Sequence, residues 1–219
     1  AASDVYKRQA PQPAVDLSGG GERANCYVAS VAGQEYSFDA TVAGNGVISQ
    51  ALAAAVGRYE GRTLSAALSG ASARLLWQSN PYLIEPGSIS YAGGRIGFSL
   101  SGRPVSLGGN AVIGLFADAA ATEALWSWHI WVTAADLDAA VQTYTLYDNF
   151  AAAGPTVLMD RNLGALKAGM WGTNGDNLAL GLLYQWGRKD PFLNIDDTDI
   201  GGTGALAIGR LRKTYDAAG

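Results

Sequence analysis

From residue 25 onward the chain alternates apolar and polar side chains in short runs, each closed by glycine, proline or asparagine. A period of two puts successive side chains on opposite faces of a strand. On that pattern residues 25–31 form a first strand. Residues 35–42 form a second, with Tyr36, Phe38, Ala40 and Val42 on one face and Gly44-Asn45-Gly46 closing it. Residues 73–78 form a third, ending near Trp77 and broken by Asn80-Pro81. Residues 88–91 and 95–100 pair as a hairpin around Ala92-Gly93-Gly94, with Ile96, Phe98 and Leu100 inward.

Two stretches depart from simple alternation. Residues 110–117 are almost continuously apolar. Residues 125–133, Leu-Trp-Ser-Trp-His-Ile-Trp-Val-Thr, hold half of the six tryptophans and the only histidine. Trp126, Trp128, Ile130 and Val132 share one face of that strand; Leu125, Ser127, His129, Trp131 and Thr133 share the other. A tryptophan on each face predicts a strand covered on both sides and central in its sheet. With residues 118–123 as the turn, it is the second arm of a long hairpin. About seven short strands at roughly 8–15-residue spacing predict a β-sandwich of immunoglobulin-like kind over residues 15–135. Within it, residues 47–68 read as an irregular or short helical insertion, since residues 48–56 favour helix and glycine punctuation follows.

After residue 135 the texture changes. Residues 142–147 and 157–160 are strand candidates on either side of Gly154-Pro155. A Gly/Asn-rich loop over 169–176 leads to residues 178–186, read as a helix that Asn177 can cap, with Leu178, Leu182 and Trp186 on one face and Gly187 and Pro191 as stops. Residues 136–219 are therefore a second unit that begins without finishing.

Composition narrows the class. The chain is 48% hydrophobic and 16% charged, with 29 glycines and a net charge of -4; many short strands with tight turns fit this balance. The net negative charge, without a Lys/Arg cluster, argues against nucleic-acid binding. Apolar runs such as residues 51–56 are too short to span a bilayer, so no transmembrane segment is expected. The single cysteine, Cys26, excludes an internal disulfide and a Cys-only metal site. No apolar export run precedes it, so it reads as a buried strand residue rather than a lipid anchor.

Candidate chemistry is sparse. A Ser-His-Asp device would need His129, which lies mid-strand, and no Gly-x-Ser-x-Gly elbow is present. His129 is read as a packed, hydrogen-bonded residue whose burial lowers its pKa. Gly202-Thr-Gly-Ala-Leu-Ala207 fits a loose dinucleotide pattern, but an acidic run instead of an apolar strand precedes it. That run, Asn194-Ile-Asp-Asp-Thr-Asp199, has the oxygen density of a calcium loop without EF-hand spacing, and reads as a solvated loop. No metal or cofactor is expected. Trp171, in the polar loop Gly-Met-Trp-Gly-Thr-Asn-Gly-Asp, is the candidate ligand-binding residue, because an exposed indole can stack on a sugar face. Trp77, Trp126, Trp128 and Trp186 are assigned to the core.

The blocks Ala24-Asn-Cys-Tyr-Val-Ala-Ser30, Tyr36-Ser-Phe-Asp-Ala-Thr-Val42, Asn110 through Thr133, Met159-Asp-Arg-Asn-Leu-Gly-Ala165 and Gly181-Leu-Leu-Tyr-Gln-Trp-Gly-Arg-Lys-Asp-Pro-Phe192 together resemble fimbrillin-family proteins of Bacteroidetes. The Trp-rich block and Gln185-Trp-Gly-Arg-Lys-Asp-Pro-Phe192 are the specific ones. Met159–Leu163 and Leu183–Trp186 also resemble signatures at the start of the Fibrobacter paralogous domain, which is similar to C-type-lectin-like and formylglycine-generating-enzyme folds. Catalysis of the latter kind needs cysteines, and none follows residue 26. Asp118-Ala-Ala-Ala-Thr-Glu123 departs from the pattern by lacking its usual turn glycine. The resemblance implies a mainly β chain: an immunoglobulin-like sandwich followed by a truncated α+β lectin-like domain.

It further implies a non-catalytic cell-surface adhesion or fimbria-associated protein, at the outer membrane or extracellular. Its expected partners are other fimbrial subunits or host and dietary glycans. The alternative is a carbohydrate-recognition module of a polysaccharide-utilisation system. Asp4-Val-Tyr-Lys-Arg-Gln9 resembles one reading frame of a transposon end used in sequencing libraries. Residues 1–14 are accordingly read as artefact and linker, and the chain as an internal fragment.

Overall fold

A computed structural model of the chain describes residues 13–60, 65–102, 108–145, 155–169, 177–184 and 189–193. Within them β1 (Val15–Asp16), β2 (Cys26–Ala29) and β3 (Glu35–Asp39) precede a single α-helix, α1 (Gln50–Glu60). Then follow β4 (Ser72–Gln78), β5 (Ser90–Ala92), β6 (Arg95–Ser99), β7 (Gly109–Phe116) and β8 (Ala124–Val132). The chain is mainly β, and none of the described helices is long and apolar enough to cross a membrane.

Eight strands form two four-stranded mixed sheets, ordered β1-β3-β6-β5 and β2-β8-β7-β4. Their facing sides share one core. Tyr36, Phe38, Ile96 and Phe98 enter from the first sheet. Tyr27, Ala29, Ala111, Ile113, Leu115, Trp128, Ile130 and Val132 enter from the second. The arrangement is sandwich-like, and period-two alternation produces it: every second residue of β3, β6, β7 and β8 points into the same layer. Trp128 lies at its centre, 5.3 Å ring to ring from Phe38, which in turn lies 4.9 Å from Tyr27. Such aromatic pairs add to the free energy of plain area burial.

The long hairpin is present: β7 and β8 pair antiparallel from Gly109↔Val132 to Phe116↔Ala124. Its turn needs no glycine. Ala121 adopts a positive φ of 58°. The Asp118 carboxylate accepts hydrogen bonds from the Thr122 and Glu123 amides and the Thr122 hydroxyl. A buried alanine and an aspartate clasp thus replace the usual turn residue.

The second sheet is covered on both sides, as the paired tryptophans of residues 125–133 predict. On its outer face Leu76, Trp77, Val112, Phe116 and Ala121 cluster with Leu182, and Phe192 packs alongside. A register shift between Leu75 and Trp77 turns Leu76 and Trp77 outward together. Leu182 and Phe192 belong to β11 (Leu182–Leu183) and β12 (Phe192–Leu193), an antiparallel pair. The described part of the second unit therefore packs directly on the sandwich. Between β8 and β11 along the chain, β9 (Val141–Tyr144) and β10 (Thr156–Met159) pair as an antiparallel ribbon carrying exposed Val141, Tyr144, Val157, Leu158 and Met159.

One expectation is corrected. The described part of the 178–186 stretch, residues 178–184, is not helical: Asn177–Ala179 is a single 3-10 turn, and the chain then extends into β11. Gly181 separates the two with a φ of 72°, and a Cβ there would meet the Leu163 carbonyl oxygen and Asn162 Cβ, both at 2.8 Å. Burying Leu182 in the outer-face cluster outweighs the helical spacing of Leu178 and Leu182, and Leu178 stays exposed. The helical reading of residues 48–56 holds, since α1 covers most of them.

Candidate functional site

β2 runs parallel to β8, with Cys26 paired to His129 in register. This places the only cysteine beside the only histidine. Cys26 Sγ lies 3.1 Å from His129 Nδ1, and His129 Nε2 lies 2.9 Å from Asn110 Oδ1 on β7. Asn110 Nδ2 then donates to the Gly164 carbonyl at 3.0 Å. One proton arrangement satisfies every group: the thiol donates to Nδ1, Nε2–H donates to Asn110, and Asn110 donates to Gly164. The chain of bonds links β2, β8, β7 and the loop that leads to β11.

Both titratable members are held neutral. Burial lowers the His129 pKa to about 4 and raises that of Cys26 to about 12. A thiolate–imidazolium pair needs shifts in the opposite directions, so the Cys-His-Asn sequence is arranged for cohesion, not nucleophilic attack. His129 is 4% exposed, in agreement with the structural role assigned from its mid-strand position.

A second feature lies where β8 enters the sheet. An open cleft of about 520 Å³ is lined by the 23–25 and 43–48 segments, Ser65, Ala66 and Trp126. The volume falls within the roughly 300–1,000 Å³ of small-molecule sites. The lining residue Asn25 is tied to β8 by its backbone: His129 N–H donates to the Asn25 carbonyl at 2.9 Å. One wall turns at Ala43-Gly44-Asn45-Gly46, where the Gly46 amide bonds the Ala43 carbonyl at 2.9 Å. Gly44, at φ 56°, packs so closely that a Cβ would lie 3.2 Å from Asn25 Nδ2.

The polar groups of the cleft brace one another. Trp126 Nε1 donates to Asn25 Oδ1 at 3.0 Å, and the Val47 amide donates to Asn45 Oδ1 at 3.0 Å. Arg23 forms an ion pair with Asp39, Nη2 to Oδ2 at 2.6 Å. Lys189 Nζ stands 4.5 Å from the centre of the Trp126 ring and is offset by Asp190. Trp126, assigned to the core from sequence, packs against the core and also borders this cleft.

Of the residues singled out from sequence, Trp171, Trp186, the 194–199 acidic run and the Gly202–Ala207 run lie outside the described residues. Among the described residues no group of three His, Cys, Asp or Glu side chains comes together to hold a metal. Two features were not legible in the sequence: the Cys26–His129 contact, which depends on a parallel pairing across some hundred positions, and the cleft, whose walls come from four separate segments. No family model matches the chain, and neither a curated protein nor a solved structure matches it.

Proposed function

We propose that the chain is a non-catalytic cell-surface adhesion or fimbria-associated protein. In this view an immunoglobulin-like sandwich serves as spacer and interaction module, and the second unit is lectin-like. One observation carries it: the only histidine, buried, and the only cysteine, half-buried beside it, are spent as a neutral structural pair, which favours a scaffold over a nucleophilic enzyme. The resemblance of the Trp-rich block and of Gln185–Phe192 to fimbrillin-family sequences supports the surface role. Antibody against the chain should label intact cells of its source; labelling only after lysis overturns the proposal.

The second reading, a carbohydrate-recognition module of a polysaccharide-utilisation system, is favoured by the cleft at Trp126. An aromatic ring beside amide side chains suits sugar faces and hydroxyls. A glycan array distinguishes the two, because uniform absence of binding removes the second and leaves the first.

A further inference from the structure

We infer that the cleft bordered by Trp126 is a binding site for a neutral oligosaccharide, recognised mainly through donors on Asn25, Asn45, Arg23 and Ser65. The inference deepens the carbohydrate-recognition reading and rests on it. Several hydrogen-bonding groups of the cleft are already used within the protein. Asn25 Oδ1 is taken by the Trp126 indole and Asn45 Oδ1 by the Val47 amide. Ser65 Oγ accepts from the Ala67 amide at 3.1 Å.

Each of these bonds consumes an acceptor and fixes the side chain. Each leaves a donor: Asn25 Nδ2, Asn45 Nδ2 and the Ser65 hydroxyl have no protein partner among the described residues. Arg23 is similar: Nε and Nη2 serve Asp39, and Nη1 has no partner among the described residues. Asn25, Asn45 and Ser65 are exposed, so water or a ligand can reach them. The cleft thus presents fixed donors and an aromatic edge, prearranged by the protein's own bonds, which lowers the ordering cost of binding.

The ligand must offer many acceptors, a partly apolar ring and little charge. Among the described residues at the cleft, Arg23 is paired with Asp39 and Lys189 with Asp190, an arrangement that favours a neutral ligand over a carboxylate or phosphate. Hydroxylated pyranose rings meet all three conditions. At 520 Å³ the cleft has room for a short oligosaccharide rather than a single sugar.

The test uses the full chain labelled with ¹⁵N. It is titrated separately with gluco-, manno-, xylo- and chito-oligosaccharides and with oligogalacturonides. The Trp126 indole resonance is assigned through Trp126→Phe, and the Asn25 and Asn45 amides through Asn25→Ala and Asn45→Ala. At least one neutral oligosaccharide should shift these three signals together, and Asn45→Ala, an exposed loop change, should weaken binding about tenfold. If a neutral oligosaccharide binds but leaves these signals unmoved, and both alanine variants bind normally, the cleft assignment is overturned while carbohydrate recognition stands. If only oligogalacturonides bind at the cleft, the neutral class is overturned. If none binds and the variants keep the parent circular dichroism, both the site and the reading beneath it fall.

Discussion

Cys26 Sγ and His129 Nδ1 lie 3.1 Å apart across a parallel strand pair. Each is the only residue of its type in the chain. Both are neutral at ordinary pH, and their titrations bracket a range of pH in which this part of the fold is fully stable.

The lower edge comes from His129. Its pKa is about 4 folded against an ordinary 6.5, so the unfolded chain takes up the proton first as pH falls. Stability from this group is full above about 6.5, declines between 6.5 and 4, and levels off below; the total is about 3 kcal/mol. Asp16, held low chiefly by Arg95, and Asp118, held low chiefly by the Thr122 hydroxyl, act below the ordinary carboxylate value of 3.8, outside that window. Urea unfolding of the parent from pH 7 to 4 should show the decline, and His129→Gln should flatten it. An equal slope in both proteins would assign the decline elsewhere.

The upper edge is the thiol. With Cys26 raised from 9 to about 12, its thiolate fraction at pH 8 is on the order of a thousandfold below that of the unfolded chain. Iodoacetamide should alkylate the native protein slower by a comparable factor and the urea-unfolded protein at the normal rate. Stability should also fall as pH rises above 9, because the unfolded state then releases a proton that the folded state retains. Rapid alkylation of the native chain would place the thiol outside the sheet.

Trp128 is 1% exposed at the centre of the inter-sheet core. Trp128→Ala should cost about 3–5 kcal/mol, as for other buried large aromatics. Its indole Nε1 has no acceptor among the described residues, so Trp128→Phe forfeits no hydrogen bond there and should cost well under half as much. Chemical denaturation of the pair checks this; a loss below about 1 kcal/mol for the alanine variant would remove Trp128 from the core.

Leu182 joins the outer-face cluster of β4 and β7, and its amide donates to the Leu163 carbonyl at 2.9 Å. Leu182→Ala should lower stability by about 2–5 kcal/mol and shift a single cooperative transition. If the 136–219 segment melts apart and leaves the sandwich transition unmoved, the two are energetically independent.

The strands of the sandwich were legible before any coordinates, because alternation on β3, β6, β7 and β8 is a local consequence of one face being buried. The paired tryptophans likewise announced that β8 is covered on both sides, and chain order announced its hairpin with β7. Where propensity and packing disagree, local pattern fails. Leu178 and Leu182 have helical spacing, yet Leu182 is drawn to the sheet and Leu178 is left exposed.

The sequence by itself therefore determined a β-rich chain, its inward-facing residues and the absence of a second histidine or cysteine. Tertiary structure alone decided that β2 lies parallel to β8, which sets Cys26 against His129 and holds Asn25 beside Trp126. The physical reason is reach. Alternation constrains a residue relative to its neighbours in the chain, whereas the partner of a strand is chosen by which sheet edge best buries its apolar face, wherever along the chain that edge was made.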